Sequence, residues 1–321
     1  MVLRPTARGG GRENRGVMSP RPLVVIGDAN PDLVLTGDVT ARFGQAEQLL
    51  DSATLTMGGS ASIMACGAAR LGIATELVAH VSADQFGRYV LDELAARGVR
   101  TDRVRVHETG STGLSVILST PTDRAILTHV GALAAVSCTD IDPDSLPPGT
   151  HVHAAGFFLL PALASGLPSL FASLRARGCT TSLDTNWDPI GRWAGVHEVL
   201  AHTDVFFPNV NEAVAIAGCR DPDDSGRHLA GHGCIVAMKR GAAGGSLWAP
   251  GATRVDAAPP NVELVDTTGA GDSFDAGFLA AWLRGCPPDA SLRAAVTAGS
   301  LSTRAAGGIG SQATWAEIEP A

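Results

Sequence analysis

The sequence predicts an α/β protein with a mostly parallel central sheet, helices on both faces and a small separate sheet that serves as a lid. Three observations predict it. Short β-branched runs alternate with apolar helical stretches along most of the 321 residues, which is the pattern of repeated strand–helix–strand units. Two regions, near 32–57 and 104–130, hold strand pairs with polar turns and no helix between them. Those strands stand outside the alternating core and suit a lid. Hydrophobic residues make up 45% of the chain and charged residues 17%, a balance that supports one large core and argues against disorder. Residues 22–315 therefore read as one domain, 1–21 as a disordered extension and 316–321 as a tail.

The elements follow in order. Leu23–Ile26 is a β-branched run closed by Gly27 and reads as a buried strand. Residues 33–35 pair with 53–57 in the lid. A helix over 60–71 stops at Gly72, a strand covers 75–81, and a helix over 87–97 stops at Gly98. Residues 112–117 and 125–130 make the second lid pair. After 150 the alternation returns, with strands at 152–155, 181–183, 205–207 and 234–238. Helices fall at 167–176, 211–217, 273–283 and 291–305, and Gly245–Trp248 opens a hairpin.

Several classes are excluded. Lys+Arg is 24 and Asp+Glu is 32, so 24 − 32 gives a net charge of −8. That is a poor match to nucleic acid or an anionic membrane surface. The longest apolar run, 154–164, is broken by Pro161 and falls short of the roughly 18 residues of a membrane helix. The first 22 residues hold no apolar core, so a cytoplasmic location is expected. The start is Arg-rich; a transit peptide or a true start at Met18 are its alternative readings. Six scattered cysteines form no C-x-x-C pair and read as thiols in a reducing compartment. There is no G-x-x-x-x-G-K-[ST] and no G-x-G-x-x-G after the first strand, which argues against a P-loop site and a dinucleotide site. His151 and His153 share one side of a strand without a third ligand nearby and read as packing or surface residues.

The sharpest motif is Asp266-Thr267-Thr268-Gly269-Ala270-Gly271-Asp272, followed at once by an apolar helix. Glycines before a helix start leave unpaired N–H groups aimed at one point, and the helix dipole adds positive charge there. Together they make an anion site suited to phosphate. Asp272 at its mouth reads either as a helix cap or as a base that takes a hydroxyl proton. Met57-Gly58-Gly59-Ser60 opens another apolar helix and reads as a turn or as a close approach for a ligand. Asn209 and Glu212 lie on one helix face. They suit either a capping box or a hydrated Mg²⁺. Lys239, the only lysine, leads a loop with Gly241 and Gly244 that reads as a hairpin turn or a polyphosphate contact. Asp28, Asn30 and Asp32 follow the first strand and read either as a Pro-containing turn or as groups placed where small polar ligands are held in such sheets.

Together these pieces resemble the ribokinase-like (PfkB) carbohydrate kinase family over nearly all of residues 23–315. The segment from Asp266 to Phe274 is similar to the family's carboxyl-terminal signature, and Gly58-Gly59-Ser60-Ala61 to its amino-terminal one. Asn209 and Glu212 match its N-x-x-E motif. The resemblance implies a three-layer α/β/α fold with a β-sheet lid, and an ATP-dependent kinase of a small sugar or sugar acid. It implies Asp272 as general base and the amides of Gly269, Ala270 and Gly271 as an anion hole. Asn30, Asp32, Gly58, Gly59 and Ile63 would border the acceptor. Asn209, Lys239, Gly241, Gly244, Thr268, Ala298 and Ser302 would border ATP. Glu212 would organise Mg²⁺ through water, and Asp266 with residues 305–311 a monovalent cation such as K⁺. A homodimer through the lid is implied too.

One position departs. Many family members carry Asn five residues after the first signature glycine, where it bonds a sugar hydroxyl; here it is Ile63. An aliphatic group cannot make that bond, so a less hydroxylated or bulkier acceptor is expected. Phe157 and Phe158 offer further apolar surface. Three other readings remain beside the sugar kinase: a nucleoside kinase of the same family, a non-catalytic sugar sensor and a nucleotide-dependent oxidoreductase.

Overall fold

The first strand shows how the layers arise. All four residues of β1 (Leu23–Ile26) are buried, and successive side chains point to opposite faces of a strand. Leu23 and Val25 join one hydrophobic core, whereas Val24 and Ile26 join the other. The computed structural model describes residues 20–120 and 123–320. Most of the expected N-terminal extension and the alternative start at Met18 lie outside the described residues.

After β1 the chain enters the lid with β2 (Asn30–Thr36) and β3 (Ser52–Gly58) and returns through α1 (Ser60–Arg70), β4 (Thr75–Ser82), α2 (Gln85–Ala96) and β5 (Arg100–His107). The second lid pair is β6 (Leu114–Ser119) and β7 (Arg124–His129). Then come β8 (His151–Ala154), α3 (Pro161–Ala176), β9 (Thr180–Leu183), α4 (Val196–Leu200), β10 (Val205–Phe206), α5 (Val210–Ala217) and α6 (Pro222–Ala230). The chain closes with β11 (Ile235–Lys239), β12 (Gly245–Trp248), β13 (Val255–Ala257), α7 (Ala270–Trp282), α8 (Pro288–Ser302) and α9 (Trp315–Ile318).

The nine-stranded sheet runs β13-β12-β11-β10-β9-β8-β1-β4-β5. It is parallel from β11 to β5 and antiparallel at β11–β12 and β12–β13. Helices α1, α2, α7 and α8 cover one face, and α3 to α6 the other. The four-stranded lid runs β3-β2-β6-β7, with β2 and β6 parallel at its centre. This is the three-layer architecture with a small β-sheet lid that the sequence predicts.

Three local expectations need correction. The second lid segment begins later than 104, because β5 pairs with β4 through His107 in the main sheet. Pro161 does not interrupt an apolar stretch; it begins α3, where a proline lacks nothing because the first amides of a helix have no partner anyway. His151 and His153 are fully buried and bond Thr180 and Ser182, so neither is a surface residue.

Candidate active site

The α1 end of the site depends on a contact between two separate motifs. Gly59 precedes α1 at a positive φ of 77° and supplies no side-chain cap. The cap comes from the loop after β1: the Asp28 carboxylate accepts the amides of Ser60 and Ala61, each at 3.0 Å. Gly58 is needed for a different reason, since a Cβ there would stand 1.9 Å from an oxygen of Asp32. Asn30 donates to Asp32 Oδ1 at 3.2 Å and to Ser115 of the lid at 3.3 Å.

Two cavities meet at the head of α7. The larger, about 550 Å³, is walled by Lys239, Gly241 and Gly244, by Gly271 and Phe274 of α7 and by one face of α8. The smaller, about 200 Å³, is walled by Asn30, Asp32, Gly59, Ser60 and Ile63, and by the lid. Thr268, Gly269 and Asp272 face the smaller cavity, whereas Thr267, Ala270 and Gly271 face the larger. The loop before α7 is thus the partition between them.

Gly269 is the N-cap of α7 at φ 71°, and Asp272 makes no capping bond. The cap reading of Asp272 is therefore set aside. The Ala270 amide is taken by the Thr267 carbonyl at 3.2 Å, so it does not add to the anion hole as expected. The amides of Gly271 and Asp272 have no acceptor among the described residues. A Cβ on Gly271 would lie 3.5 Å from Lys239 Nζ, which places the ammonium beside those amides.

Lys239 gathers carboxylates around it. Its Nζ lies 2.7 Å from Asp184 and 3.2 Å from Asp275. Burial alone would pull the lysine down, but Asp184, Asp275 and Glu212 outweigh it and hold the ammonium raised. Asp272 is pushed up to about 7, first by burial and then by Asp184; Lys239 opposes the shift. Glu212 and Asp32 are each pushed up to about 7, both mainly by burial. Asp275 is held well above the ordinary range by burial, against the pull of Lys239. A carboxylate poised near neutrality between two cavities can accept a proton at physiological pH.

Some expected residues stand elsewhere. Ala298 and Ser302 are buried, with Ala298 against Gly277 of α7. The face of α8 on the larger cavity carries Val296, Gly299 and Ser300 instead, with Thr303 just past its end, because 298 and 302 lie one four-residue step apart on the neighbouring stripe. Thr268 lines the smaller cavity and not the larger one with Lys239; its hydroxyl donates to Asp266 and accepts from Arg124 at 3.1 Å. Asn209 and Glu212 form the capping box of α5, with bonds of 2.8 and 3.0 Å, and neither is among the residues that wall the two cavities at the head of α7. Asp266 clamps two loops, accepting the amides of Thr268 and Gly307. Ile63 does line the smaller cavity. Phe157 and Phe158 do not, while Leu159 does.

Several site residues escaped the sequence reading. Asp184 follows β9 and Asp275 lies one turn after Asp272; both placements were legible signals. Asn186, at φ 55°, donates to the Ser60 hydroxyl at 2.8 Å and ties β9 to α1. Arg124, at the edge of the lid, reaches Thr268 across the smaller cavity, a long-range contact with no local signature.

A family model described as pfkB family carbohydrate kinase matches residues 21–315. The ATP-dependent ribose-1-phosphate kinase of Halopiger xanaduensis is 30% identical over 280 residues, covering 83% of this chain and 88% of that relative. The ribokinase of Bacillus subtilis is 29% identical over 302 residues, covering 93% and 98%. The Arabidopsis thaliana ribokinase solved with ribose and ATP has the same fold, with a TM-score of 0.77 at 23% identity over 94% of this chain and 98% of that one. The chain belongs to the pfkB family of carbohydrate kinases. It is an ATP-dependent carbohydrate kinase, an enzyme that transfers a phosphoryl group to an alcohol.

Proposed function

We propose that the protein phosphorylates a hydroxyl of a small sugar or sugar acid, with the acceptor in the 200 Å³ cavity and ATP in the 550 Å³ cavity. The observation that carries this reading is the partition itself. Asp272 faces the acceptor side while the Gly271 amide and Lys239 face the nucleotide side. Asp272 takes the hydroxyl proton, and the free amides at the head of α7 receive the charge on the transferring group. Lys239, Gly241 and Gly244 border the phosphates.

Three carboxylates, Asp184, Asp275 and Glu212, stand around the single ammonium of Lys239. That donor set fits a water-bound Mg²⁺. Asp184, Asp275 and Glu212 would hold it, and when bound it neutralises charge on the phosphates. K⁺ near Asp266 and residues 305–311 is carried by the family likeness, and activity with and without K⁺ tests it.

Arg124 favours an anionic acceptor. It is the single cation on the walls of the smaller cavity and pulls against the raised Asp32. A guanidinium pairs well with a carboxylate or phosphate. Arg124→Ala should raise the KM of an acidic acceptor roughly tenfold with a smaller change in kcat. The nucleoside reading lacks support of this kind, because no aromatic ring is among the residues lining that cavity. Pairing of lids between two copies is supported by β7, whose six residues are all exposed, Ile126 and Leu127 by 53% and 59%. Light scattering on purified protein tests it.

ADP release with sugars, sugar acids, sugar phosphates and nucleosides tests the reading. Turnover with sugar acids or sugars supports it. Turnover with nucleosides alone overturns the substrate class.

A further inference from the structure

Away from both cavities, three histidines converge. His197 lies near the start of α4, His228 in the last turn of α6 and His232 just past its end. One ligand nitrogen from each lies within 4.8 Å of the other two. His228 and His232 are four residues apart, so the end of α6 presents both on one side, and α4 brings the third. His232 leads into β11, whereas Lys239 ends it. The cluster therefore sits at the opposite end of that strand from the cavities.

The bonding around His197 decides which of its nitrogens is free. Nε2 lies 3.0 Å from the Ile216 carbonyl, which can only accept, so Nε2 carries the proton. Nδ1 is then a lone pair, and it faces His232 Nε2 at 3.0 Å. A backbone carbonyl on the far nitrogen is the arrangement that fixes the tautomer and ring of a metal-ligating histidine. The group contains imidazoles and no carboxylate. Such a set suits borderline ions such as Zn²⁺, Ni²⁺ or Cu²⁺ and not the oxygen-seeking Mg²⁺ or Ca²⁺. Three nitrogens leave a fourth position for water.

We propose that His197, His228 and His232 form a binding site for a divalent metal ion of the zinc class, distinct from the Mg²⁺ that accompanies ATP. The ion joins α4 to α6 and, through the Ile216 bond, to the end of α5. It displaces the hydrogen bond between His232 Nε2 and His197 Nδ1, and the proton of the neutral His232 ring passes to its own Nδ1, so both rings ligate as neutral imidazoles.

Calorimetric titration of tag-free, full-length protein with Zn²⁺ tests this, with Co²⁺ as the spectroscopic probe. One ion per chain is expected, with a visible spectrum of nitrogen ligation and no thiolate charge-transfer band. His228→Ala should weaken binding roughly tenfold or more, and His232→Gln should do the same. His202→Ala, outside the cluster, should bind as wild type. Zn²⁺ should raise the melting temperature of the wild type and not of the two variants. His228 is exposed, so its alanine variant keeps the fold, which circular dichroism verifies. Absent binding, or binding through thiolates that His228→Ala and His232→Gln leave unchanged, overturns the proposal.

Discussion

A carboxyl group removed from water holds its proton more tightly, and Asp272, the base we propose, shows the consequence. Burial and Asp184 raise it to about 7, so it is deprotonated only as the pH reaches neutrality. The value of kcat/KM should rise with pH, level off above about 7 and fall tenfold per unit below it; a pH–rate profile checks this. The same shift predicts a stability effect of definite sign. An unfolded Asp titrates near 3.9, so the folded protein binds the extra proton between about 4 and 7. The stability contributed by that proton is present below the unfolded value and lost as the pH rises through 7. Asp272→Asn keeps the neutral form at every pH. Its melting temperature should therefore gain on the wild type between pH 5 and pH 8. Histidines held low by burial, such as His153 at about 4, push both curves the other way and cancel in the difference. A gap that shrinks with pH would contradict the assignment.

At the scale of elements, the cavity we propose for the acceptor depends on how α1 is held. Asp28 caps α1 from the loop after β1, and Gly58 makes room for Asp32. Asp28→Ala should lower stability by about 1–2 kcal/mol in urea unfolding and raise acceptor KM, because Asn30 and Asp32 leave the same loop. Gly58→Ala should act on acceptor KM more than on ATP affinity, since the displaced carboxylate lies on the acceptor side. Equal losses for both substrates would place the effect on global stability instead. The lid brings Ser115, Arg124 and Thr128 over the same cavity, so half of its wall belongs to an element that sequence patterning reveals only as strand pairs.

Across the whole molecule, the legible parts are those with local signatures. The alternation of strands and helices, the lid pairs and the glycine-rich head of α7 all stand in the sequence because period and turn chemistry are local. The Asn209–Glu212 capping box was legible for the same reason. What the sequence did not show are meetings across long separations: Asp28 with the head of α1, Asn186 with Ser60, Arg124 with Thr268, and Lys239 with Asp184 and Asp275. Ala298 and Ser302 illustrate a different gap. The helix was expected correctly, but which of its stripes faces the cavity depends on how α8 is rotated against α7, and both stripes are apolar or small.

The central claim is that Asp272 acts on the acceptor and not on ATP. The measurement that tests it most directly compares wild type and Asp272→Asn in steady-state phosphorylation and in ATP binding by calorimetry. The account predicts a loss of kcat on the order of 10²–10⁴-fold with ATP affinity changed by no more than a few-fold. Turnover near the wild-type rate, or a loss of ATP binding that matches the loss of activity, would contradict it.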